Sequence, residues 1–352
     1  MKRHLLGVAA AVLGTVLISG AGFAAATAAA APVPTTVTLP MFGAPLTLDV
    51  TTDPGGALTN VAVDSANPTV ATKLKPHKVV FQVSSLADPT ADPGRVVVKS
   101  RHGGQSVSAR AGSLADVSGP GAWSGDVFGT GTATSVAFTV AAAADGTSPD
   151  ITGVTSSDAT AVIGTVDHST GDGHDHEGDA SSARVSVKFT NAAGDQSRSL
   201  SIRVEVRTGG EHDSAKLSIS LSPIKGVAID AATAAGPHTW SGLLCDGTTT
   251  ATVSYTVAAD GSVSAVTATP ATAVVKTDGD KISVKFSDTE RVLIMVHAKD
   301  GMIKIQAMTM FRCNSGNPVT NVSTSIPTPD NGGGNGHFGG SGRGDHKGGK
   351  NG

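Results

Sequence analysis

The chain has 352 residues, 39% hydrophobic but only 3% aromatic and 16% charged, with 44 Gly, 17 Pro and a formal net charge of −3. Two of its cations, Lys2 and Arg3, sit at the extreme N-terminus, so the remainder is more acidic still and lacks the basic balance that nucleic-acid binding requires. Abundant β-branched residues among many turn formers predict short strands, and about 300 residues beyond the leader are more than a single core usually holds.

Residues 1–30 have the layout of a secretory signal peptide. Basic Lys2, Arg3 and His4 precede an apolar run from Leu5 to Ile18, and small residues follow, with A-x-A cleavage patterns at Ala26–Ala28 and Ala28–Ala30. That run is shorter than the roughly 18–20 apolar residues of a bilayer span, and no second long run follows. The expectation is a secreted, extracellular protein with no membrane span. No lipid-anchor cysteine follows the leader, so attachment to a surface would be non-covalent.

Three segments of the remaining chain resemble one another. GPGAWSGDVFGTGTATSVAFTVAA from Gly119 aligns without a gap on GPHTWSGLLCDGTTTATVSYTVAA from Gly236, which carries Trp123 onto Trp240. The likeness continues through RVSVKF from Arg184 and KISVKF from Lys281. A more diverged version lies upstream, where LTLDVTTDPGGALTNV and RVVVKSRHGGQSVSARA resemble VSYTVAADGSVSAV and RVLIMVHAKDGMIKIQA. The expected units are 35–112, 119–222 and 236–314, with a linker at Ala228 to Ala235.

Within each unit the apolar residues alternate, as in Val253, Tyr255, Val257 and in Ile282, Val284, Phe286, which is the period of a strand with one buried face. Asp-Gly and Gly-Gly pairs between such runs suit hairpin turns. The predicted fold is therefore all-β: three tandem antiparallel β-sandwich-like repeats of immunoglobulin-like size. Trp123 and Trp240, just inside the first strand of their units, are expected to be core anchors. Residues 315–352 form a polar stem and then a Gly-rich tail, too poor in apolar residues to fold and expected to be disordered.

The chemistry-bearing residues are few. Cys245 and Cys313, near the two ends of the third unit, are the only cysteines, and export predicts a disulfide between them. The second unit carries an insertion, residues 165–183, where the third needs only the short stretch between Val275 and Ile282. It contains GDGHDHEGD, and a surface insertion of this kind is expected to pack against nothing. In a meander, alternate loops share an end of the sheet, so His174 and His176 would lie near His212, with His168, Glu177 and Asp179 as further donors. His-x-His in an extended segment can chelate Zn, Ni or Cu with a third ligand from elsewhere, whereas the spacing of a calcium loop is missing.

The sequence contains no G-x-S-x-G, H-E-x-x-H, C-x-x-C or P-loop pattern. The expectation is a non-enzymatic protein that requires no cofactor, a structural, adhesive or ligand-binding array whose partners would be cell-wall polymers or surface proteins. The alternative is an exported transition-metal-binding protein that uses the His-rich loop.

Overall fold

The computed structural model describes residues 34–101, 103–171, 179–209 and 213–324. The leader and the Gly-rich tail lie outside these residues. The chain is nearly all β, as its alternation requires. Three strands, β1 (Thr35–Met41), β2 (Ala44–Thr52) and β3 (Leu58–Ser65), lie in one sheet. The next four, β4 (Thr69–Lys75), β5 (Lys78–Val83), β6 (Gly94–Arg101) and β7 (Gly104–Ala111), lie in a second.

The chain then returns to the first sheet with β8 (Gly119–Asp126), β9 (Ala133–Ala142) and β10 (Pro149–Ser156). It re-enters the second with β11 (Val162–Ile163), β12 (Asp167–Gly171), β13 (Asp179–Thr190), β14 (Gln196–Thr208) and β15 (Ser214–Leu221). A connection of β16 (Lys225–Gly226), β17 (Ala228–Asp230) and the single turn α1 (Ala231–Ala234) follows. The Asp230 carboxylate caps α1 by accepting from the Ala232 N–H.

The last region repeats the three-then-four order. β18 (Gly236–Leu243), β19 (Thr250–Val257) and β20 (Val263–Thr269) make a three-stranded sheet. β21 (Val274–Asp278), β22 (Lys281–Ser287), β23 (Glu290–Lys299) and β24 (Met302–Phe311) make another, with β17 on its edge. A final strand, β25 (Val319–Thr324), leaves this region and pairs in parallel with β3.

The first two segments do not close separate sandwiches. Their sheets run into each other in the order β10-β9-β8-β1-β2-β3-β25 and, opposite, β11-β13-β14-β15-β7-β6-β5-β4. The seams are antiparallel, with Val37 opposite Trp123 in one sheet and Val107 opposite Ile219 in the other. Apart from β25, each order reads alike from both ends, so the two segments face each other about a pseudo-two-fold. The physical reason is the edge: joining β1 to β8 and β7 to β15 leaves none of these strands with a row of unpaired backbone groups. One core fills the space between the sheets, from Leu39 and Phe81 through Phe138 to Leu200, Ile202 and Val204 on β14. A second, separate core occupies the last region.

Three further expectations are corrected. The insertion at 165–183 is not a bare loop: β12 pairs with the start of β13, Ser169 and Ser182 share a side-chain hydrogen bond of 2.8 Å, and Ala183 is buried. Its own serine-rich flanks let it lengthen the hairpin, so the insertion does pack. The stem after Cys313 likewise forms a strand that runs to Thr324, because β3 offers a free sheet edge and Val319, Thr320 and Val322 favour an extended chain. The expected linker also contributes, since β17 pairs Ile229 with Ile303 on the edge of β24.

Candidate functional site

The recurring Trp-Ser-Gly has a packing explanation. Residues two apart share a face of a strand, and the indole lies across the glycine that follows it. A Cβ on Gly125 would stand 3.0 Å from Trp123 Cζ2, and one on Gly242 would stand 2.7 Å from Trp240 Cζ2. Each indole also meets a phenylalanine of the facing sheet, Trp123 with Phe189 at 6.4 Å and Trp240 with Phe286 at 6.2 Å between centroids. The surroundings then diverge. Trp123 is 2% exposed beneath the β1–β8 seam, whereas Trp240 is only half-buried, because β18 has β19 as its one strand partner among the described residues.

The unshared side of the last region borders a cavity of about 670 Å³. Trp240 to Leu243 of β18 and Thr309 to Phe311 of β24 form one wall, and the β2–β3 turn, Phe128 and Arg198 form the other. Backbone contacts hold the walls in place. A Cβ on Gly55 would lie 2.9 Å from the Phe311 carbonyl oxygen and 3.1 Å from Cys313 Sγ, and Ser315 Oγ donates to Asp53. On the connection, a Cβ on Gly226 would overlap the Ile305 carbonyl oxygen, so the chain crosses β24 there in direct contact.

Three of the four charged groups that line the cavity, Arg198, Asp126 and Asp53, are already engaged, and the fourth, Arg312, is exposed. Arg198 donates to the carbonyls of Ser222, Val127 and Gly103, and burial pulls its pKa down to about 10 while the Asp126 charge opposes that shift. Asp126 accepts the N–H groups of Phe128 and Gly129, and Asp53 accepts that of Ala57. One polar atom is left over: Ser241 Oγ is buried with no hydrogen-bond partner among the described residues. The engaged charges beside exposed Met310 and Ile224 suit the cavity to a partly apolar ligand, and the exposed Arg312 adds one positive charge to its lining.

The cysteines are joined as expected, with Cα atoms 5.2 Å apart across a sequence separation of 68. The bond ties the β18–β19 turn to the end of β24, and the Cys245 N–H donates to Glu290 Oε1 at 2.6 Å.

The metal residues fare differently. His174, His176, Glu177 and His212 lie outside the described residues, and only the backbone of Asp179 is described. His168 is described, on β12, with Nε2 3.4 Å from Asp150 Oδ1 of the other sheet. Asp179 pairs with Thr208, so the strands flanking the His-rich stretch and the β14–β15 turn end side by side. The corresponding turns also meet elsewhere: the Ser100 N–H donates to the His77 carbonyl, and His297 Nδ1 lies 3.8 Å from Asp280 Oδ2. Among the described residues no group of three or more His, Cys, Asp or Glu side chains could hold a metal ion, and no helix is long and apolar enough to cross a membrane.

Comparison of the chain with protein-family models, with curated proteins and with solved structures finds no match. The sequence reading missed the cavity, whose walls come from turns and edges far apart in the chain. Its one legible signal was an odd number of similar segments, which leaves one without a counterpart.

Proposed function

We propose that the protein is an exported, non-enzymatic β-repeat scaffold that binds a partner outside the cell, with the fused first two segments as its body and the last region as its binding module. The observation that carries this reading is the cavity between body and module, where Asp53, Asp126 and Arg198 are engaged in holding turns and the exposed Met310 and Ile224 give the lining an apolar part. The Gly-rich tail, with Arg343, Lys347 and Lys350 against Asp345, would add a loose tether to anionic wall polymers. Fractionation of cells expressing the full chain tests the reading. The processed protein should be found in the medium and on the cell surface, released from the surface by salt; retention of the uncleaved chain inside the cell would overturn it.

A second reading, transition-metal binding, is favoured by the pairing of Asp179 with Thr208, which sets the bases of the two histidine-bearing turns together. Calorimetric titration with Zn²⁺, Ni²⁺ and Cu²⁺ tests it. Binding should weaken as the pH falls through about 6.5, where imidazole protonates, and should vanish on joint His174→Ala and His176→Ala replacement. Binding that survives the double replacement would refute this assignment.

A further inference from the structure

We propose that the cavity beside β18 accepts an extended peptide of about five residues, which adds as an antiparallel strand to the β18 edge left unpaired among the described strands and sets an apolar side chain against Trp240. The proposal rests on the binding-scaffold reading and names the class of partner. Its template lies in the same chain, where β1 runs antiparallel to β8 with Thr36 opposite Ser124, Val37 opposite Trp123 and Thr38 opposite Ala122. The aligned residues of β18 are Thr239, Trp240 and Ser241, and nothing among the described strands pairs with them on that side.

The opposing sheet is open on the same side. The β17 patch covers only Met302 to Lys304 of β24, so the edge beyond it has no strand partner among the described residues. A ligand there would cover Met310, which is 45% exposed. Strand addition draws affinity from backbone hydrogen bonds and specificity from alternate side chains in pockets.

Size decides between an isolated strand and a second folded copy. A five-residue strand is about 17 Å long, and a cavity of about 670 Å³ falls within the range of small-ligand sites. A second copy would have to bring a whole sandwich into that gap, and the seam it would need on β24 is already partly occupied, at Met302 to Lys304, by β17. The occupant is thus an unfolded or terminal segment with alternating small polar and apolar residues.

The test uses the mature full chain and a dye-labelled synthetic peptide PTTVTL, the sequence of residues 34–39, read by fluorescence anisotropy. Saturable binding is expected, weakened about tenfold or more by Trp240→Ala and by N-methylation of the peptide backbone. Because Trp240→Ala could disturb folding, Met310→Asp supplies a second variant on an exposed position, and it should weaken binding while leaving the melting temperature unchanged. No binding at about millimolar peptide, or binding indifferent to both variants and to N-methylation, would overturn the proposal. So would a stable dimer in sedimentation whose formation the peptide does not inhibit, since a second copy would then occupy the edge. An exported, surface-bound chain that ignores the peptide would lose only this proposal; a chain that takes the peptide but is retained inside the cell would lose only the scaffold reading.

Discussion

Trp123 and Trp240 occupy aligned positions in the sequence, each lies across a glycine, and each faces a phenylalanine, yet one is sealed and the other is half-buried. The difference comes from outside their own sandwiches. β8 is covered by β1, while β18 has no such neighbour among the described strands, so burial here is set by how segments associate rather than by the strand itself. The body uses its edges to build one large core, and the last region supplements its own smaller core with a disulfide, the β17 patch and a single-turn cap.

The largest expected effect comes from removing the sealed indole. Trp123→Ala should destabilise the body by about 3–5 kcal/mol, the usual cost of an aromatic-to-alanine change in a core. Denaturant unfolding followed by circular dichroism should show a smaller loss for Trp240→Ala, confined to the transition of the last region. Equal losses would break the comparison.

Reduction of Cys245–Cys313 should come next. Opening a loop with a sequence separation of 68 is expected to cost about 4 kcal/mol on the loop-entropy account. The loss should fall on the last region, whose core is separate, and leave the body transition in place under reducing calorimetry.

A smaller effect probes the room made for aromatic rings. A Cβ on Gly121 would overlap the Phe138 ring, so Gly121→Ala should cost about 1–3 kcal/mol through overpacking, measurable as a lower denaturant midpoint for the body. At the aligned position the last region carries His238, stacked on Tyr255 at 5.6 Å with Nε2 2.7 Å from the Ala234 carbonyl. There His238→Ala should loosen α1 in hydrogen exchange rather than relieve a clash.

The smallest effect should be shared by both regions. Asp145 and Asp246 accept hydrogen bonds from the turns that follow them, which lowers each carboxyl from 3.8 to about 2. A depressed folded pKa contributes stability that is present above the unfolded value and lost as the pH falls from 3.8 towards 2. Thermal melts across that window should show both transitions weakening. Asp246→Ala should remove this acid-dependent part from the last region alone, and Asp145→Ala from the body alone.

Much of the architecture was legible along the chain. Alternation at Val253, Tyr255 and Val257 dictated strands because side chains on a pleated backbone point to opposite faces in turn. Asp-Gly pairs dictated turns because a short carboxylate can accept nearby N–H groups and glycine tolerates a positive φ, as Gly146, Gly247 and Gly261 do. Cys245 and Cys313, alone of their kind, allowed only one pairing within the chain. These features are local or forced by counting, so the sequence determined the all-β class and the disulfide. Tertiary structure alone decided which edges meet. The fusion through β1–β8 and β7–β15, the return of β25 to β3 and the cavity beside Trp240 all depend on backbone groups that nearly every residue carries, so no side-chain pattern announces them.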